Sequence, residues 1–295
     1  MKKLILLCGI IGVSFSSVIV RYSQAPSMVL ALYRLMWTVL LMLPVVTTRQ
    51  RAELVSTAPK DIAWCALSGV FLALHFTVWF ESLSWTSVAA SNVLVSTEVI
   101  FTALGFCLLL KGKLSPLAVV SIGLTFAGSV CIAMGDQGGQ GALYGDALAL
   151  LGAVLLCGYT LIGSRERARM SAGIYTFWVY LFCFLTLVVM HLITGTAMWG
   201  YGWKELALGL AMCVLCNFFG HSIFNWALKY FQPSFVSAAR LGEAVVAAGM
   251  GVVLFHEAMT PMLAIGSVAV IGGVLLYGRA ETLAARQTVE ASKEA

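Results

Sequence analysis

Four charged side chains fall deep inside apolar stretches of this sequence: Arg34, Glu98, Arg240 and Glu243. A charge at the centre of a membrane helix costs about 2.5–3.5 kcal/mol on insertion scales, so each needs a partner or a use. For the carboxylates two readings stand side by side. Glu98 and Glu243 can take up a coupling proton or cation, or bind an amino group of a solute. Alternatively, Glu243 is neutralised by Arg240, its i,i+3 neighbour on one helix face. Glu98 has no charged neighbour within its own stretch. Arg34 can act as a counter-charge or hold a solute carboxylate, or it can snorkel to the nearby interface.

Uncharged polar groups form two smaller patterns. Asn217, His221 and Asn225 recur at i, i+4 and i+8, a spacing that puts three polar side chains on one helical stripe. Such a stripe lines a pocket or bonds to a neighbouring helix. His75 and Trp79 are also four apart, and read either as cavity lining or as packing. The eight cysteines all lie in apolar stretches and read as core residues. Cys213 and Cys216 have no second pair or His at zinc-ligand spacing, so no metal is expected there.

The elements that must position these residues follow from composition. The chain has 295 residues, of which 60% are hydrophobic and 11% charged, with a mean hydropathy of +0.94. Soluble domains are nearer half apolar and a quarter charged. Apolar runs of about 20 residues, the length that crosses a bilayer, recur near 4–22, 28–47, 62–80, 87–110, 115–134, 144–164, 173–194, 204–228, 233–255 and 261–278. The expected fold is therefore an all-α membrane protein with ten transmembrane helices. The apolar run after Lys2 and Lys3 continues past Val20 and reads as a retained helix, not a cleaved leader.

With both termini on the cytoplasmic side, fourteen of the 18 lysines and arginines fall on that side, as the positive-inside rule requires. The net charge of +5 is thereby assigned to topology, and no basic patch is left to bind nucleic acid. A Gly-rich linker at 135–145 divides the runs five and five, so the second half enters the membrane from the opposite face. An offset of 145 aligns Glu98 with Glu243, Ala103 with Ala248, Leu109 with Leu254, Pro116 with Pro261 and Gly128 with Gly273. The sequence thus predicts two inverted five-helix repeats at 4–134 and 144–278, followed by a cytoplasmic tail at 279–295. Inverted repeats with a midplane site are the architecture of many secondary transporters.

Motifs of soluble catalysis are absent from the sequence: no G-x-x-x-x-G-K-[ST], no H-E-x-x-H and no G-x-S-x-G. No enzyme activity and no cofactor are expected.

Several segments resemble EamA-type transporters of the drug/metabolite transporter superfamily. One is Gly145-Asp146-Ala147-Leu148-Ala149-Leu150-Leu151-Gly152-Ala153, with Tyr159 and the basic loop from Arg165 to Arg169. Another is Leu254-Phe255-His256-Glu257-Ala258-Met259-Thr260-Pro261 ahead of a Gly-rich last helix, and a third is Arg34 early in the second span. The resemblance implies a ten-helix carrier in a bacterial inner membrane that exports amino acids, related metabolites or drugs by alternating access. The chain departs from the family pattern in two places. Gly112 stands where the first repeat's loop glutamate is expected, its second-repeat counterpart being Glu257, and the first span has Gly12-Val13-Ser14-Phe15 in place of a tryptophan.

The sequence therefore predicts a secondary active transporter of a small metabolite, with proton or sodium as the coupling ion and the lipid bilayer as its surroundings. Its expected site is Glu98, Glu243, Arg34, Arg240, His75, Trp79, Asn217, His221 and Asn225. The alternative is a non-transporting sensor or accessory subunit on the same scaffold.

Overall fold

The computed structural model describes residues 2–85, 91, 94–134, 143–255 and 261–294, and these are helical wherever they are regular. In chain order the helices are α1 (Lys2–Tyr22), α2 (Ser27–Arg49), the short α3 (Arg51–Ser56), α4 (Pro59–Trp85), α5 (Glu98–Leu108), α6 (Pro116–Met134), α7 (Leu143–Glu166) and α8 (Ala172–Thr194). They continue with α9 (Trp203–Met212), which runs through a π-helical segment (Cys213–His221) into α10 (Ser222–Ala227), then α11 (Pro233–Arg240), α12 (Gly242–Phe255) and α13 (Pro261–Glu294). Six helical stretches are long and apolar enough to cross a membrane, and Leu94–Leu108, Pro116–Gly128 and Ala264–Ala280 are shorter apolar helices. The linker at 135–142 and the loop with His256 and Glu257 lie outside the described residues.

The structure corrects the expectation of unbroken helices at 87–110 and 233–255. Helix is interrupted at Thr97 and again at Leu241, one residue before α5 and α12 begin. Both breaks are tight i to i−3 turns: the Thr97 N–H donates to the Leu94 carbonyl at 3.1 Å, and the Leu241 N–H to that of Ala238 at 3.1 Å. The Thr97 hydroxyl adds a bond to the same Leu94 carbonyl at 2.6 Å, an arrangement that bends helices. At the second break Gly242 supplies a poor helix former. In consequence Glu98 and Glu243 both occupy the first turn of a half-helix, where the helix dipole favours an anion.

Packing of the apolar faces forms two cores. One joins α2, α4 and α8 with parts of α7 and the π-helical segment, around Leu35, Phe76, Phe80, Tyr180 and Cys216. The other joins α1, α5, α6, α10, α11 and α13, around Ile10, Val99, Phe224, Val236 and Tyr277.

Glycine sets the two closest backbone approaches. A Cβ on Gly12 would overlap the Phe219 carbonyl and lie 2.7 Å from that of Leu215, so α1 rests directly on the backbone of the π-helical segment. α6 and α13 cross in a reciprocal way. A Cβ on Gly128 would meet the Gly266 carbonyl and the Val270 nitrogen, each at 2.8 Å, while one on Gly273 would meet the Thr125 nitrogen at 2.9 Å and the Ser121 carbonyl at 3.0 Å. Later residues of one helix thus meet earlier residues of the other, so the pair is antiparallel. Small residues at such crossings let helices pack closely where there is no hydrophobic drive to associate.

The Gly12 contact makes a stability prediction. Gly12→Val should destabilise the protein by roughly 1–3 kcal/mol, the usual cost of overpacking. Gly123, with no atom within 4 Å of an added Cβ, should accept alanine without loss. Thermal unfolding of the two detergent-purified variants against the parent checks this, and equal melting temperatures would refute it.

Candidate functional site

Where the two cores meet, side chains from both halves of the chain line a partly open cavity of about 70 Å³. Seven of the nine residues singled out from the sequence line it: Arg34 (α2), His75 and Trp79 (α4), Glu98 (α5), His221 (π-helical segment), Arg240 (α11) and Glu243 (α12). The helix breaks place the last three charged groups. α11 ends at Arg240 and α12 starts two residues later, so Glu98 and Glu243 both open a helix at the cavity wall.

The charges pair differently from the sequence expectation. Arg240 forms its ion pair with Glu98, Nη1 to Oε1 at 3.9 Å, and no ion pair links Arg240 to Glu243 among the described residues. Arg240 turns instead toward Glu98, whose Oε1 is ringed by hydroxyls of α5, α7 and α11. Glu98 Oε1 also accepts hydrogen bonds from Ser237 Oγ at 2.7 Å, Thr102 Oγ1 at 2.9 Å and Thr160 Oγ1 at 3.0 Å. Arg240 Nη1 donates to Thr160 Oγ1 at 3.4 Å, and its guanidinium lies 4.7 Å from the Phe224 ring centroid. Glu243 is half-buried, and its carboxylate has no hydrogen bond or ion pair among the described residues.

Arg34 does not snorkel. It is 1% exposed, its Nε donates to Asn217 Oδ1 at 2.5 Å, and its guanidinium lies 4.4 Å from the Phe76 ring centroid. Asn217 is held in turn by Thr38, its Nδ2 donating to Oγ1 at 2.6 Å.

The expected polar stripe is split three ways. Asn217 faces Arg34, His221 faces the cavity, and Asn225 accepts from Tyr159 Oη at 2.7 Å. Two of the three thus bond to neighbouring helices, Asn217 to α2 and Asn225 to α7, while His221 lines the cavity. His75 and Trp79 stack at 5.8 Å and 13°, and His75 Nδ1 lies 2.9 Å from the Gly152 carbonyl.

Several polar atoms of the cavity residues lack a hydrogen-bond partner among the described residues: Arg34 Nη2, Arg240 Nε and Nη2, Trp79 Nε1, Ser16 Oγ and His221 Nδ1. Leaving a buried donor unmade costs about 1–3 kcal/mol, and more for a charged group. A solute carrying a carboxylate would satisfy the guanidinium and indole donors together.

Sequence reasoning missed Thr160, Ser237, Thr102 and Tyr159. Thr102, four residues after Glu98, and Ser237, three before Arg240, were legible as helical neighbours of a charge. Thr160 and Tyr159 come from α7 and have no such local signal.

The Arg34–Asn217 bond is testable apart from any activity. Asn217→Leu should lower stability by at least about 1–3 kcal/mol, since it strands a buried guanidinium. Asn217→Gln, which keeps an amide, should lose less. Thermal unfolding of the purified variants distinguishes them, and equal losses would sink the assignment.

Comparison with known proteins places the chain among transporters by family. An uncharacterized transporter of Archaeoglobus fulgidus is 26% identical over 254 residues, 84% of this chain and 86% of its own. An uncharacterized transporter of Clostridium kluyveri is 23% identical over 247 residues, 81% of this chain and 79% of its own. A protein of known crystal structure superposes over 97% of this chain and 98% of its own with a TM-score of 0.77 and 19% identity, which shows the fold alone. The sequence model of the EamA-like transporter family matches residues 2–134 and 143–279. Together with the apolar helices and the charged cavity, this match makes the chain a multi-pass membrane transporter of the EamA-like family, with a small-molecule substrate.

Proposed function

We propose that the chain is a secondary active carrier that exports a small amphoteric metabolite, an amino acid or a related compound, across the cell's inner membrane. The observation that carries this reading is the cavity with two guanidinium groups and two carboxylates on its wall. Arg34 and Arg240 suit a carboxylate, Glu243 suits an ammonium group, and the stacked His75 and Trp79 suit the apolar remainder. At 70 Å³ the cavity has room for only about five water molecules, so loading requires the surrounding helices to part.

Two inverted five-helix halves, with both termini cytoplasmic, supply a means of parting them. The reciprocal Gly128 and Gly273 contacts are what a pseudo-two-fold between α6 and α13 would produce. The packing partners agree with such an axis. At the offset of 145 the pairing of α1 with the π-helical segment corresponds to that of α7 with α4, and both pairs are in contact.

Each end of the bundle also carries a latch. At one end Glu205 accepts from Ser23 Oγ at 2.6 Å and from the Gln24 N–H at 3.0 Å. At the other Arg169 pairs with Asp61 at 3.3 Å, and the Ser171 N–H donates to Glu53 at 2.6 Å. Gln24 and Arg169 are equivalent at the same offset. Alternating release of the two latches would open the cavity to one side at a time.

The test is counterflow in proteoliposomes preloaded with pooled unlabelled amino acids, with single labelled compounds added outside. Saturable accumulation of at least one is expected. Arg34→Gln should raise the half-saturating concentration of that compound by about tenfold or more. Correctly inserted protein that exchanges none of the panel would overturn the reading.

A further inference from the structure

Glu98 and Glu243 occupy equivalent places in the two halves, each in the first turn of a half-helix at the cavity wall. Their surroundings are not equivalent. Resting on the carrier reading above, we propose that the two carboxylates divide the work. Glu98 is a positioning residue that permanently holds Arg240, and Glu243 alone takes up and releases a coupling proton.

Glu98 is committed to its neighbours. One of its oxygens accepts from hydroxyls on α5, α7 and α11 and faces the Arg240 guanidinium. Hydrogen bonds to an ionised acceptor are about twice as strong as neutral ones, and protonation would forfeit that advantage in all of them. A guanidinium already occupies the place a mobile cation would take.

The second half does not repeat this arrangement. At the offset of 145 the counterparts of Arg240, Thr102 and Thr160 are Val95, Ala247 and Phe15, none of which can donate a side-chain hydrogen bond, while that of Ser237 is Asn92, outside the described residues. The Glu243 carboxylate accordingly faces the cavity with no hydrogen bond or ion pair among the described residues.

The groups that share the cavity with Glu243 are Arg240 from α11, Arg34 from α2, His75 from α4, Glu98 from α5, and Cys216 and His221 from the π-helical segment. α1 contributes Ser16 to the wall, and Ser14 to the Glu243 backbone carbonyl at 3.4 Å, but no acid or base. α6 and α13, the other helices packed on α12, contribute no lining residue. With both carboxylates ionised the two guanidinium groups are balanced. A proton on Glu243 adds one positive charge, and a solute ammonium bound there adds the same.

Exchange of proton for ammonium therefore keeps the Glu243 carboxylate neutralised in both states, while the solute's own carboxylate offsets the one excess positive charge of the protonated cavity, so no carboxylate is buried without a counter-charge. In the step, a proton from water bonds to a Glu243 oxygen while the cavity is open to one side. It returns to water on the other side when the ammonium of an arriving solute replaces it. One proton moves per solute, in the opposite direction.

The experiment is infrared difference spectroscopy of the full chain in lipid between acid and alkaline pH, following the carbonyl stretch of a protonated carboxyl shielded from water. No solute is needed. The wild type and Glu98→Gln should both show the band, and Glu243→Gln should lack it. A band lost in E98Q and kept in E243Q, or absent from the wild type, overturns the division of labour. If E98Q fails to insert, Thr102→Ala and Ser237→Ala, each removing one donor to Glu98, take its place with the same expectation.

Transport separates this inference from the carrier reading. In proteoliposomes with the labelled amino-acid panel, E98Q should keep accumulation driven by a pH gradient, with a half-saturating concentration raised by about tenfold. E243Q should lose that accumulation. Absent wild-type counterflow would defeat the carrier reading whatever the spectra show, whereas wild-type counterflow with full pH-driven accumulation in E243Q would defeat the division of labour alone.

Discussion

Burying charge in a medium that cannot solvate it is the constraint around which this molecule is arranged. Hydrocarbon offers an ionised side chain neither water nor counter-ion, so Arg34, Arg240 and Glu98 are surrounded by polar partners drawn from several helices. Arg34 is oriented by Asn217, which is itself fixed by Thr38. Arg240 is held by Glu98, which is held by three hydroxyls on three helices. The helices can approach closely enough to supply those partners because glycines sit at the crossings. The interruptions at Thr97 and Leu241 turn the carboxylates into helix-start residues, and the dipole of each half-helix helps to offset their burial.

The same constraint explains why the polar network is unevenly distributed. Hydroxyl and amide groups that satisfy a charge are buried and tightly bonded, while half of the twelve unpartnered buried side-chain atoms among the described residues, including every such guanidinium nitrogen, belong to residues of one cavity. A structural network has no reason to leave guanidinium donors unmade. A binding site for an acceptor-bearing solute does, because those donors then distinguish the right solute from water and from solutes without a carboxylate.

Much of this was legible in the sequence, and the failures have identifiable causes. Apolar runs of bilayer length give the all-helical membrane class directly, since no soluble alternative tolerates them. Isolated charges in those runs marked Arg34, Glu98, Arg240 and Glu243, because the expense of each makes accidental placement rare. Which charge pairs with which was not legible. Arg240 and Glu243 are neighbours in sequence, but Arg240 pairs with Glu98, 142 positions away and brought to it by tertiary packing alone. The i,i+4,i+8 stripe left pocket lining and interhelical bonding open, and tertiary packing divides them: Asn217 and Asn225 bond to other helices while His221 lines the cavity. Tyr159 and Thr160 belong to the site through tertiary packing alone, which no local pattern records.

The antiparallel seam of α6 and α13 has a bearing on how such a molecule can change over generations. Because Gly128 meets the partner helix where Gly273 meets its own, the surface is self-complementary. Two identical half-length chains lying in opposite orientations could close along it equally well. In such a pair every substitution would appear twice, so an acid could not be locked in one copy and left loose in the other. A single polypeptide lifts that obligation. Val95 at the offset position of Arg240, and Phe15 at that of Thr160, are differences that two identical copies could not hold.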